Sequence, residues 1–119
     1  MRPDDRRKYL WDVLTAAELL REFSAGKSFE DYQADAMLRS AVERQFEIVG
    51  EALNHLSKVD PGLASDIPDL GRVVAFRNIL IHGYAIVDDA LVWQALTDRL
   101  PGLVKTVQDL LEATDPRSL

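Results

Sequence analysis

Cysteine is absent from this 119-residue chain. Disulfides, thiolate nucleophiles and cysteine-ligated zinc or iron-sulfur centres are therefore excluded. Histidine is nearly as scarce, with 2 in the sequence, His55 and His82, and no metal or cofactor is expected. Long apolar runs are missing too. None approaches the roughly 18 residues that span a bilayer, and the opening Met1–Lys8 stretch lacks the apolar core of a secretory signal. A soluble cytoplasmic protein with no membrane partner is the expectation. Basic charge is in deficit, with 14 Lys and Arg against 20 Asp and Glu and a net charge of -6. This excludes the broad basic footprint of a general nucleic-acid binder, so no DNA partner is expected and any RNA site must be local.

What is present is the composition of a folded globular chain, 47% apolar and 29% charged. The length fits one domain, 1–119. Roughly two thirds of the unfolded surface can be buried at this size, and association with a second copy would add to a modest core.

Apolar residues recur at helical spacing almost throughout. From Asp4 to about Ala25, Leu10, Val13, Leu14, Ala17 and Leu20 mark one face of a first helix, which Gly26 ends. Ser28-Phe29-Glu30-Asp31 places a hydroxyl three residues before a carboxylate, the pattern of a capping box. The second helix predicted from there runs unbroken to Asp60-Pro61-Gly62, about 40 Å at 1.5 Å per residue. Gly50 interrupts its interior, where glycine is unfavourable, and so predicts close approach by another backbone. A short irregular or single-turn segment precedes a third helix from Asp69 to His82, and Asp88-Asp89 caps a last one. Pro101 either kinks that helix or occupies the first turn of its continuation through Leu111. No stretch alternates with period two, so the fold class is all-α, an antiparallel helical bundle of four to five helices.

The densest polar cluster in an apolar setting is Arg77-Asn78-Ile79-Leu80-Ile81-His82-Gly83-Tyr84. Asn78 and His82 share a helix face, whereas Arg77 and His82 lie about 140° apart and converge only if the helix unwinds at Gly83 or a second copy completes the site. At a helix C-terminus the dipole favours the imidazolium by about 0.3 to 1 kcal/mol. His82 then suits proton transfer, and Arg77 offers a permanent planar charge for a phosphate. RNA carries its own nucleophile, the ribose 2′-hydroxyl, so phosphodiester cleavage needs only a proton acceptor, a proton donor and charge stabilisation. On spacing alone, a surface Arg-His pair or a helix-cap interaction is the simpler account.

The octet fits Arg-x4-His-x-Tyr and resembles the signature of HepT-like toxins in the HEPN superfamily of helical nucleotide-binding and ribonuclease domains. Tyr9-Leu10-Trp11-Asp12, Ser28-Phe29, Ala41-Val42-Glu43-Arg44, Gly50-Glu51-Ala52, Val87-Asp88, Val92-Trp93 and Leu100-Pro101 resemble family segments over nearly the whole chain. Asp69 departs from it, standing where many relatives carry an aromatic residue. The resemblance implies a metal-independent ribonuclease toxin of a type VII-like toxin-antitoxin pair, acting as a homodimer on RNA, with tRNA one candidate. Arg77 would bind the scissile phosphate in a dimer cleft, His82 would move protons, and Asn78 would orient the imidazole or the phosphate unless it is an ordinary exposed amide. It further implies an MntA-like nucleotidyltransferase antitoxin that transfers AMP to Tyr84, placing negative charge and bulk beside Arg77 and His82. Tyr84 otherwise reads as a core or interface aromatic. The alternative function is a non-catalytic nucleotide-binding or scaffolding module for the transferase.

Other candidates carry less. His55 reads as a solvated residue. Glu43, Glu47 and Glu51 read as a solvated stripe, since the Glu-x-x-His of helical di-metal sites is missing. Trp11 and Trp93 read as packing anchors.

Overall fold

The computed structural model describes residues 5–82 and 87–118. All regular structure among them is helical. Helix α1 (Asp5–Ser24) buries Leu10, Val13, Leu14, Ala16, Ala17 and Leu20 on one face, and Gly26 leaves it with a φ of 73°, a conformation cheap only without a Cβ. The capping box forms as read. Asp31 N–H donates to Ser28 Oγ at 3.1 Å and Ser28 N–H to the Asp31 carboxylate at 2.9 Å.

The predicted unbroken second helix is in fact two, α2 (Phe29–Ala34) and α3 (Ala36–Val59). Asp35 takes extended dihedrals, and its carboxylate accepts from Leu38 N–H at 3.1 Å, so it caps α3. Helical periodicity in the sequence passes over a one-residue interruption; the break turns α2 so that Tyr32 is fully buried. The segment after α3 forms the single turn α4 (Pro61–Ala64), followed by α5 (Leu70–His82). Helix α6 (Asp89–Gln94) is capped by Asp88 and passes through a π turn (Ala95–Arg99) into α7 (Leu100–Ala113). Both readings of Pro101 meet here. It occupies the first turn of α7, and the wider turn before it, closed by Leu100 N–H to Ala95 O, keeps the helix nearly continuous.

Helix α3 is the centre of the bundle, with α1 along one side and α5 along the other. The ends of α1 show the antiparallel order. Arg6 pairs with Asp60 at 3.3 Å, and Arg7 donates to Leu111 O at 2.7 Å and to Thr114 Oγ1 at 3.0 Å. Asp60 joins three elements, since its N–H reaches Leu56 O at 2.9 Å and its carboxylate accepts from Leu63 N–H at 3.0 Å. Buried apolar side chains from all seven α-helices except α2 are aliphatic or Phe46; α2 contributes Tyr32. No described helix is long and apolar enough to cross a membrane.

The caps carry a pH signature. The Leu63 N–H, then Arg6, holds Asp60 below the ordinary carboxylate value of 3.8, and the Ser28 N–H and hydroxyl do the same for Asp31. A lowered carboxylate stabilises the fold above its unfolded pKa, and that contribution is lost as pH falls through the folded one. The urea midpoint is expected to drop as pH falls below 3.8. Asp60→Asn, which keeps a cap acceptor but no charge, should show a lower midpoint at pH 7 and a shallower acid dependence.

Candidate functional site

Helix α5 packs on α3 through a narrow part of its surface and exposes most of the rest, including Ile79 and Ile81, each 45% exposed. Its last two turns carry Arg77, Asn78 and His82. Gly50 is buried where α5 crosses α3, and the group facing it is the stem of Arg77, with Val73 O beside it. The close approach expected at Gly50 is therefore made by a site residue, which spacing in the sequence had no means of naming.

Seated on Gly50, Arg77 is half-buried. Its Nη1 donates to Asn78 Oδ1 at 2.9 Å, and its Nε is enclosed without a hydrogen-bond partner. Asn78 thus holds the guanidinium from the exposed side. His82 is the exposed last residue of α5. The helix stays regular to His82, so Arg77 and His82 keep their five-residue separation around its surface. Gly83, where unwinding was expected, and Tyr84 lie outside the described residues.

The glutamate stripe is less solvated than the sequence suggests. Glu43 and Glu47 are half-buried, and burial, then Asp89 and Glu47, raises the Glu43 carboxyl above its ordinary value. Burial, then Glu43 and Asp89, likewise raises the Tyr32 phenol, whose oxygen is buried without a hydrogen-bond partner. A raised carboxylate is the opposite of the caps: stability is lost as pH rises through the folded pKa. Glu43→Gln is expected to raise the urea midpoint at pH 7, and the gain should fade on acidification toward 4.5. Glu51 pairs with His55 at 3.9 Å, and His55 stacks on Tyr9 with ring centroids 5.3 Å apart. His55 is thus partly shielded by a ring as well as solvated. Among the described residues no group of three or more His, Asp or Glu is arranged to hold a metal ion.

Trp93 packs as expected, 5.5 Å from Tyr32 and 6.3 Å from Phe29 between ring centroids. Trp11 does not. It is 54% exposed, because the α1 stripe that meets the core runs through Leu10, Val13 and Leu14 and leaves position 11 outside. A groove of about 630 Å³ lies between the first half of α5 and the π turn, floored by Phe46 and Val49. Arg77, Asn78 and His82 do not line it. At its rim Asp69, with a left-handed φ of 63°, pairs with Arg99 at 3.5 Å and fixes the start of α5.

Comparison with known proteins follows the same elements. The profile of the ribonuclease HepT-like family matches residues 13–110, from within α1 to near the end of α7. The protein named "Putative RNase TTE0752" from Caldanaerobacter subterraneus subsp. tengcongensis is 35% identical over 106 residues, covering 89% of this chain and 94% of its own. "Putative RNase MJ1380" from Methanocaldococcus jannaschii is 31% identical, covering 87% and 94% respectively. "Probable ribonuclease HepT" from Thermococcus cleftensis is 34% identical, covering 82% and 87%. No solved structure matches the chain significantly.

Proposed function

Since this chain belongs to the ribonuclease HepT-like family, we propose that it is a metal-independent RNA endonuclease whose cleft is built around Arg77, Asn78 and His82. The observation that carries this reading is the arrangement on α5: an arginine fork, held by Asn78 at 2.9 Å, five residues before an exposed histidine at the helix end.

The chemistry uses a second copy. Ile79 and Ile81, about 200° apart around α5, are each 45% exposed, and either one offers an apolar contact to the α5 helix of a second copy. In the homodimer each subunit supplies one arginine and one histidine. The ribose 2′-hydroxyl gives its proton to a neutral His82 and attacks the adjacent phosphorus. The phosphorus–O5′ bond breaks as the partner's His82, protonated, gives a proton to O5′. A 2′,3′-cyclic phosphate and a 5′-hydroxyl result, with no net gain or loss of protons. Both arginines face the charge that builds on the phosphate oxygens.

In the cell this activity makes the protein a cytoplasmic toxin, with tRNA a candidate substrate. An MntA-like nucleotidyltransferase antitoxin restrains it by moving AMP from ATP to the Tyr84 oxygen with release of pyrophosphate. Tyr84 stands two residues after His82 in the sequence, and the phosphate added to it would compete with that of RNA for Arg77.

The test is cleavage of RNA by the purified chain in excess EDTA, with the ends identified by mass. Cyclic-phosphate ends are expected; no cleavage, or cleavage only with added divalent metal, overturns the reading. Co-expression with an MntA-like nucleotidyltransferase should add AMP-sized mass to the parent but not to Tyr84→Phe. A stable complex with neither cleavage nor added mass would leave the non-catalytic module in its place.

A further inference from the structure

We propose that Gly50 is a positioning residue for Arg77, acting through the depth at which the arginine stem lies on α3. The inference rests on the ribonuclease reading above and adds to it a residue on a different helix, 27 positions earlier in the chain.

A Cβ at position 50 would overlap the Arg77 Cβ, lie 2.8 Å from Arg77 Cγ and lie 3.2 Å from Val73 O. The Arg77 Cβ is fixed by the α5 backbone, so no rotamer change relieves the overlap with it. Any larger residue at 50 must therefore lift or rotate α5 at the turn that carries the guanidinium.

Two further facts show what this seat does. Arg77 Nε is enclosed without a hydrogen-bond partner, so the stem lies flat enough on α3 to exclude water from it. Nη1 is held by Asn78 Oδ1. Gly50 from below and Asn78 from the side thus fix both depth and rotation of one planar fork. A fork reads a phosphate through paired, directed donors, and its usefulness falls quickly when it moves. Glycine within a 24-residue helix weakens that helix, and this seat is the return on that weakness.

The experiment uses Gly50→Ala in the full chain, with RNA cleavage kinetics and binding of an uncleavable 2′-O-methyl RNA oligonucleotide. A displacement of about 1 Å is expected to lower kcat on the order of 100-fold and to weaken oligonucleotide binding, while the pH dependence contributed by His82 stays in place. In an Arg77→Gly background, which removes the Cβ and Cγ that a Cβ at position 50 would meet, the same Gly50→Ala change should weaken binding no further, because the group it positions is gone. Equal weakening in both backgrounds, or parental kcat in folded Gly50→Ala, overturns the proposal. If Gly50→Ala fails to fold alone, the Arg77→Gly background decides, since it removes both overlapping atoms. A double variant that folds with the thermal midpoint of Arg77→Gly supports the seat, and one that fails to fold, as Gly50→Ala does, overturns it. Absence of RNA cleavage by the parent chain in excess EDTA would instead sink the ribonuclease reading, separately from any result at Gly50.

Discussion

Arg77→Ala and His82→Ala are each expected to lower RNA cleavage by at least about 100-fold, with little change in the unfolding transition. A proton-transfer residue contributes roughly 10² to 10⁴ in rate, and a fixed donor to the developing phosphate charge contributes roughly 10² to 10³. His82 is exposed and Arg77 half-buried, so neither supports much of the core. Arg77 already has one enclosed donor without a partner, and its removal gives back part of that cost. The two variants should separate by pH. His82→Ala should lose the limb of the rate profile set by an imidazole, whereas Arg77→Ala should keep its shape at a lower rate. Cleavage at parental rate by either variant would remove that residue from the mechanism. Growth inhibition on expression should follow cleavage in both.

The largest effect on stability is expected from Leu53→Ala. Leu53 is 0% exposed in α3, and truncating a buried leucine costs about 2 to 5 kcal/mol. Against the usual total of about 5 to 15 kcal/mol, this removes a large share of the margin and lowers the thermal midpoint by roughly 8 to 20 °C. Leu91→Ala is the contrast, because Leu91 is 56% exposed and should shift stability by no more than about 0.5 kcal/mol. If the two variants melted together, α3 would not be the centre of the core.

Much of the fold was legible because helix-forming information is local. The α1 stripe, the Ser28–Asp31 box and the Asp88 cap each depend on residues within a turn or two of one another, and each is found where the spacing places it. The break at Asp35 escaped notice for the same reason. Aspartate is tolerated inside a helix as well as before one, and the choice depends on whether Tyr32 can reach the core.

The site was legible in part. The residue types of Arg77, Asn78 and His82 point to phosphate binding and proton transfer, and their spacing defines which of them share a helix face. Asn78 was expected to serve His82 or the phosphate, and its oxygen accepts from Arg77. Trp11 and Trp93 look alike in the sequence, yet one faces outward and the other packs against Tyr32 and Phe29.

By itself the sequence determined a cysteine-free, acidic, helical chain, its Ser28 and Asp88 caps and the arginine-histidine spacing, since all of these are properties of composition or of neighbours along one helix. Only the tertiary structure decided that Arg77 is the residue lying on Gly50, that Glu43 is pressed toward Asp89, and that Trp11 is left outside. Those outcomes depend on the depth and rotation of one helix against another, which periodicity along either helix does not contain.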